Sequence, residues 1–355
     1  MLPDTMHAIR LNAPHDFEYV EVPRPAPRDH EVLCRVEAVS ICGTDPHIIA
    51  GDFPGVWPKA FPLIPGHEWA GTVVALGEKS ELFGWKIGDR VCGIANAGCG
   101  YCRFCRAGLF PLCENAGRAE VHSMYGHSTA GAYAEYIAVS IKSIEKIPDS
   151  MSFETGTLMD AMSIALHMVM RCGVEPGDSV LVNGAGAQGW MSILCARAMG
   201  AETILCTGSG ARLAYAASLG AVPIDYHACN VVDEVMRLTG GKGVKRVMEC
   251  TGTAQGVNTA CYCASTGGAI AAVGFPPGEV PIPVKRLVMN EIAFLGSRAN
   301  PGTLDKAIRL ASRYESELSR MITHAFPLSR YAEAYETFTK RRDGALKVVL
   351  HPQEK

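Results

Sequence analysis

Two groups of residues in this chain have types and spacing that could hold metal. The first is Cys99, Cys102, Cys105 and Cys113, arranged C-x2-C-x2-C-x7-C. Four thiolates gathered by such short loops make a closed tetrahedral zinc site, with no position left for a substrate, so its role is structural. The second group is dispersed. Cys42, Thr44 and His47 fall in one tight loop, I-C-G-T-D-P-H, and His67 and Glu68 follow in G-H-E. A catalytic zinc takes about three protein ligands and keeps one position open. Cys42 and His67 supply two. Asp160 is a candidate third, because it stands in an otherwise apolar helical stretch where an unpaired charge is costly.

A third feature is a glycine turn, N-G-A-G-A-Q-G, in which Gly184, Gly186 and Gly189 form G-x-G-x-x-G around Ala187 and Gln188. It follows a short apolar run at 179–182 and opens a helical pattern, the context in which such a turn cradles a dinucleotide pyrophosphate. An acid for the ribose 2′-hydroxyl is expected about 20 residues on. Here that stretch reads T-I-L-C-T-G-S-G, with Thr207, Gly208 and Ser209 where the acid belongs and Arg212 close by. A small hydroxylic loop with an arginine accepts a 2′-phosphate that a carboxylate would repel, which favours NADP over NAD. Arg212 also reads as a solvated residue of the next helix. Gly274, after the apolar run 269–273, is a further candidate for the cofactor cradle.

The elements that position these residues fall into two regimes. Residues 1–152 are β-rich, with short runs at 32–39 and 70–76 punctuated by proline and glycine. From 153 the pattern changes to helix, over 153–171 with Ser152 as N-cap, then to alternating strands and helices. Strands at 179–182, 203–206, 222–224, 247–249 and 269–273 alternate with helices at 190–199, 212–219 and 231–238. That alternation implies a parallel sheet covered on both faces. Helices at 304–313 and 331–339 and a strand at 347–350 close the chain.

The 355 residues suit two domains, and 48% hydrophobic content suits substantial cores. A net charge of -3 argues against a general nucleic-acid or membrane-surface binder. No apolar signal core opens the sequence and no run reaches membrane-span length, so a cytoplasmic protein is expected. Several other cysteines, such as Cys195 and Cys206, lie in apolar runs and read as small buried hydrophobes.

Together these motifs resemble the zinc-dependent medium-chain alcohol dehydrogenases, in the branch of sorbitol, threonine and secondary-alcohol dehydrogenases. The resemblance rests on C-G-T-D-x-H at 42–47, G-H-E at 66–68, K-x-G-D-R-V at 86–91, the four-cysteine lobe, the glycine turn and I-T-H-x-F-P-L at 322–328. It covers nearly the whole chain. It implies an α/β fold: a Rossmann doubly wound parallel sheet over 153–298, and a β-rich GroES-like catalytic domain from 1–152 and 299–355, with its structural zinc lobe at 98–115. Two zinc ions per chain are implied, the catalytic one held by Cys42, His67 and Asp160. Glu68 resembles the neighbouring acid of that site, Thr44 and His47 resemble the relay that carries the alcohol proton to solvent, and Arg298 lies near where relatives place a residue beside nicotinamide or substrate. The implied reaction is hydride transfer between NAD(P) and a secondary alcohol, polyol or amino-polyol, in a homodimer or homotetramer.

Competing readings are an NADPH-dependent reductase of an activated C=C or C=N bond, an NADP-binding structural protein and a zinc-ribbon binding module. Phe53, Trp57 and Trp69 are pocket-lining candidates for an apolar or ring-shaped ligand, or ordinary packing. The stretch 120–130, with His122 and His127, is a loop near the site or a surface excursion. Trp190, directly after the glycine turn, departs from the small aliphatic residue usual in the family and is either helix–sheet packing or a crowding of the cofactor site.

Overall fold

The computed structural model describes residues 2–354. The chain forms two compact units, Met1–Asp160 with Ala311–Lys355, and Ala161–Leu310. The sequence pattern put the first division at 152, and the family resemblance put the second at 298. The structure divides later at the first point because the short helix Phe153–Thr157 buries Thr155, Gly156 and Thr157 against strands of the first unit.

The first unit is built on a seven-stranded sheet. Its path runs Ile322–Pro327, Lys347–His351, Glu31–Ser40, Glu68–Leu76, Arg90–Gly93 and Ile144–Lys146, with Tyr136–Ser140 also paired to Glu31–Ser40. Only the pairing of Ile322–Pro327 with Lys347–His351 is parallel, and the helix Tyr331–Lys340 makes that crossover. Its core gathers Ile9, Val36, Trp69, Tyr133, Tyr331 and Leu350 among others. A hairpin of Thr5–Ala13 with Asp16–Pro23 opens the chain. The sequence reading missed it, because the second strand buries none of its residues and so lacks a sharp apolar alternation.

The second unit is a six-stranded, all-parallel sheet in the spatial order Val222–Asp225, Thr203–Gly208, Ser179–Asn183, Val244–Glu249, Ala264–Ala272, Ala293–Gly296. This is the doubly wound order, reversing between the third and fourth of these strands. Val180, Leu181 and Val182 are all buried, as expected of a strand covered on both faces. The helix expected over 153–171 breaks at Leu158 into Phe153–Thr157 and Met159–Cys172. Ser152 caps the first piece, its hydroxyl accepting the Thr155 N–H at 3.0 Å. Helices Ala254–Cys263 and Val284–Met289 lay outside the expected set. Among the described residues no helix is long and apolar enough to cross a membrane.

Candidate metal and cofactor sites

In the first unit, the strand Glu31–Ser40 delivers Cys42 just beyond its end, and the antiparallel strand Glu68–Leu76 begins at Glu68, so His67 and Glu68 arrive beside it. The potential ligand atoms of Cys42, His67 and Glu68 lie within 4.8 Å of one another. Gly66 is required before His67: its φ is +91°, and a Cβ there would stand 2.6 Å from the Tyr133 ring. Asp160 is buried and lies outside that tight set. Its charge nevertheless acts on His67.

Several buried groups hold these residues. Asp45 accepts the Cys42 N–H at 2.8 Å and the Tyr133 hydroxyl at 2.5 Å through one oxygen. Its other oxygen faces His67 Nδ1 at 3.6 Å, and both of those atoms lack a hydrogen-bond partner. Asp45 thereby occupies the Nδ1 side of the imidazole and leaves Nε2 as the nitrogen that could hold a metal, as in the carboxylate–histidine pairs that support metal sites. Glu68 is drawn the other way. It pairs with buried Lys347 and accepts the Ser40 hydroxyl at 2.5 Å. Lys347 also donates to the Ile41 carbonyl at 3.4 Å.

The electrostatics fit a cation. Burial pushes the Cys42 thiol up, and the Glu68 carboxylate adds to it. Burial works against protonating His67, yet Cys42, Asp45 and Asp160 together push that imidazole up to about 10. Four potential anions therefore surround one imidazole with Lys347 as the nearby cation, so the centre favours positive charge. The donor set of thiolate, imidazole and carboxylate is one that zinc takes.

The four-cysteine lobe is a second such set, with all four sulfurs within 4.8 Å of one another. Its loops aim N–H groups at sulfur. Cys99 Sγ accepts from Tyr101 N, Cys102 N and Asn115 Nδ2, each at 3.4 Å, and Cys113 Sγ accepts from Asn115 N at 3.4 Å. The Asn115 side chain, followed by the Cys102 and Tyr101 amides, holds the Cys99 thiol down at about 6. Donors aimed at sulfur stabilise thiolate, the form that binds metal.

Thr44 and His47 sit at the start of the helix Asp45–Ala50 and inside it. Thr44 Oγ1 lies 3.7 Å from Cys42 Sγ, and exposed His47 shares a 2.7 Å hydrogen bond between Nδ1 and Asp52. Sequence reasoning left His127 undecided, and the structure buries it beside the metal set. The segment 131–133 pairs with 64–66 through Gly131 N to Ile64 O, Ala132 N to Gly66 O and Tyr133 N to Pro65 O. This brings the His127 ring to 4.4 Å, centroid to centroid, from His67. Burial, with His67 adding to it, holds His127 down at about 3. Asp45, Tyr133 and Lys347 also escaped the sequence reading as supports. A buried-looking acid in C-G-T-D was the one signal available for Asp45.

In the second unit, the glycine turn leaves the carboxyl end of Ser179–Asn183, next to the point where the strand order reverses. Its three glycines have separate reasons. Gly184 has φ +116°, which suits a tight turn. Gly186, with φ -90°, has nothing within 4 Å of where a Cβ would stand. A Cβ at Gly189 would stand 1.9 Å from the Gly184 carbonyl oxygen, so the helix Ala187–Ala198 packs on the turn itself. The open side at Gly186, at a helix N-terminus, fits an approaching pyrophosphate. Gln188 Nε2, buried there without a partner, is a donor to spare.

The other cofactor candidates follow neighbouring strands. Thr207 accepts the Gly184 N–H at 3.0 Å and donates to Asn183 at 2.7 Å, so it braces the turn. Gly208 backs on Ala185, where a Cβ would find 2.6 Å. Ser209 donates to the Tyr226 hydroxyl at 3.0 Å, and the Arg212 carbonyl accepts from Trp190 Nε1 at 3.2 Å. Trp190 is buried and meets Tyr215 edge-on at 5.0 Å, so it is packing between helices. Gly274 crosses Gly252 so closely that a Cβ would stand 2.3 Å from its Cα. Arg298 is exposed, just after the edge strand Ala293–Gly296.

Comparison with known proteins agrees with both units. The family profile described as alcohol dehydrogenase GroES-like domain matches residues 28–149, and that described as zinc-binding dehydrogenase matches 188–313. The chain is 29% identical to a sorbitol dehydrogenase of Bacillus subtilis (strain 168) over 99% of its length and 98% of the relative's. It is 29% identical to an L-threonine 3-dehydrogenase of Shewanella baltica (strain OS185), over 96% and 98%. Among solved structures, an alcohol dehydrogenase of Thermus sp. ATN1 is 31% identical, with a TM-score of 0.88 over 98% of this chain and 99% of that one. A protein of Sinorhizobium meliloti 1021, described as a zinc-binding dehydrogenase and bound to NADP, is 30% identical, with a TM-score of 0.89 over 99% and 100%.

Proposed function

Because the chain belongs to the zinc-dependent medium-chain alcohol dehydrogenases and is an NAD(P)-dependent oxidoreductase of CH–OH groups, we propose that it interconverts a secondary alcohol, polyol or amino-polyol and its ketone, with NADP favoured over NAD and two zinc ions per chain. The observation that carries this reading is the buried cluster of Cys42, His67 and Glu68 with Asp45 behind the imidazole. We assign the catalytic ion to Cys42, His67 and Asp160, with Glu68 held back by Lys347, and the structural ion to Cys99, Cys102, Cys105 and Cys113. An ion so held supplies Lewis acidity at the substrate oxygen. The chain's own residues handle the proton: Thr44 Oγ1 accepts it from the substrate hydroxyl and passes it to His47, whose Nδ1 shares a 2.7 Å hydrogen bond with Asp52 at the surface. Hydride chemistry belongs to the nicotinamide.

The NADP preference draws on Thr207, Gly208 and Ser209 standing at the end of Thr203–Gly208, where an acid for the ribose is expected. Asp225 stands opposite Gly208 in register, but it ends the neighbouring strand Val222–Asp225 and its Oδ1 accepts the His227 N–H at 2.9 Å. Thr207 braces the turn, and we assign Ser209 and Arg212 to the 2′-phosphate, with Gly274 and Arg298 on the cofactor side. The related structure bound to NADP points the same way. A homo-oligomer is supported by the edge strand Ala293–Gly296, paired on one side only, and by exposed Val288 and Met289 before it. Fourteen cysteines without a disulfide suit a reducing, cytoplasmic setting. An alcohol and ketone panel run with each cofactor, alongside metal analysis, tests the assignment. Turnover with NAD equal to or better than with NADP overturns the preference, and no turnover by a two-zinc preparation overturns the reaction.

A further inference from the structure

A file of rings runs outward from the buried ligand His67. His127 lies against it with centroids 4.4 Å apart and planes 48° from parallel. Trp57 meets His127 edge-on at 5.2 Å, and Phe53 meets Trp57 edge-on at 5.2 Å. Phe53 then approaches exposed His47 at 6.1 Å. The file is built rather than incidental. Trp57 N and Val56 N both donate to the Phe53 carbonyl, at 2.9 and 3.0 Å, which closes a tight turn holding the two rings together. His127 is fixed by Nδ1 on the Tyr125 carbonyl at 3.0 Å. Its loop is pressed onto Gly66, where a Cβ at Gly126 would stand 2.4 Å from the Gly66 oxygen. Trp57 rests on the core yet keeps part of its surface exposed, unlike Trp69, Trp85 and Trp190.

From this we propose that Phe53, Trp57 and His127 form the substrate-binding wall of the Cys42–His67 centre and select a ring-bearing secondary alcohol over an open-chain polyol. The proposal rests on the dehydrogenase reading above and adds the substrate class. Rings offer π-faces and C–H edges to another ring. A polyol needs a hydrogen-bond partner for each hydroxyl it buries, and a hydroxyl left without one is penalised. Along this wall His127 Nδ1 is already committed to Tyr125, so the three side chains offer at most two further polar ring atoms, His127 Nε2 and Trp57 Nε1, against the several hydroxyls of a polyol. Specificity built from apolar contact is worth one to two orders of magnitude in kcat/KM.

The test compares the zinc-loaded enzyme on 1-phenylethanol and cyclohexanol with sorbitol and threonine. We expect kcat/KM at least about tenfold higher for the ring alcohols. Trp57→Ala is expected to collapse that ratio mainly through KM, while Trp57→Phe, which keeps a ring and the core contact, retains most of it. Separately, 1-phenylethanol is expected to quench the tryptophan fluorescence of the zinc-loaded protein saturably, and Trp57→Phe to abolish the quench. A wild type that prefers sorbitol or threonine overturns the wall while leaving the dehydrogenase reading intact. If no alcohol is turned over, the dehydrogenase reading fails, and the fluorescence titration still decides the wall: an absent quench, or one unchanged in Trp57→Phe, overturns it.

Discussion

Replacing Gly186 with alanine separates the work of the glycine turn in binding from its work in folding. At this position φ is -90° and ψ -176°, which any residue adopts, and no atom lies within 4 Å of the added methyl. Two small effects on stability oppose each other. Alanine reduces the freedom of the unfolded chain, worth about 0.4–1 kcal/mol. Gly186 is also the N-cap of Ala187–Ala198, where alanine is poorer than glycine by about 1 kcal/mol or less. The melting temperature of the cofactor-free protein should therefore move by no more than a few degrees. Cofactor binding should suffer far more, because the methyl occupies the side by which a pyrophosphate meets the backbone. We expect NADPH affinity to fall at least about tenfold, or about 1.4 kcal/mol, measured by nucleotide fluorescence titration. Gly189→Ala is the contrasting variant. Its Cβ would stand 1.9 Å from the Gly184 carbonyl oxygen, a backbone atom, so the turn must shift. It should lose both affinity and about 1–3 kcal/mol of stability. An unchanged NADPH affinity in Gly186→Ala would refute the cradle, and a melting loss equal to that of Gly189→Ala would refute the open side.

Cys105→Ser should lower zinc from about two ions per chain to about one and reduce stability or assembly, with kcat kept within about threefold because a closed site takes no part in the reaction. Metal analysis, thermal melting and steady-state kinetics check this, and a stable, assembled variant retaining two zinc ions would contradict it. Lys347→Met leaves Glu68 buried without its cation and should cost about 3–5 kcal/mol in denaturant unfolding. The pair also sets a pH dependence. Burial pushes the Glu68 carboxyl up, but Lys347, His67 and Ser40 outweigh it and hold the group below its ordinary 4.5. A lowered folded pKa means the contribution is present at neutral pH and is lost as pH falls below 4.5. The acid limb of the stability profile should therefore be shallower in Lys347→Met than in the wild type. Arg212→Ala should raise the KM for NADPH about tenfold and leave that for NADH near its starting value, as loss of a charge-assisted phosphate contact predicts. Equal effects on the two cofactors would remove Arg212 from the 2′-phosphate.

What could be read along the chain is what is local to it. The four cysteines lie within 15 residues, and the backbone amides that bond their sulfurs come from the same loops. The glycine turn was legible because its conformational demands arise within six residues, after an apolar strand. Cys42, His67 and Asp160 were each visible as chemistry-bearing types, Asp160 through the apolar helix around it. Tertiary structure decided how these groups are held. Glu68 is tied back by a lysine 279 residues away, and Asp45 is tied down by a tyrosine 88 residues away. His127 reaches His67 only because the segment 131–133 pairs with 64–66. Thr207, placed by its position in the cofactor cradle, turned out to brace the glycine turn, and Trp190 to pack between helices. These contacts carry no periodicity or spacing in sequence. They follow from which strands pair and how closely glycines let backbones approach, and those are set by burying the core as a whole.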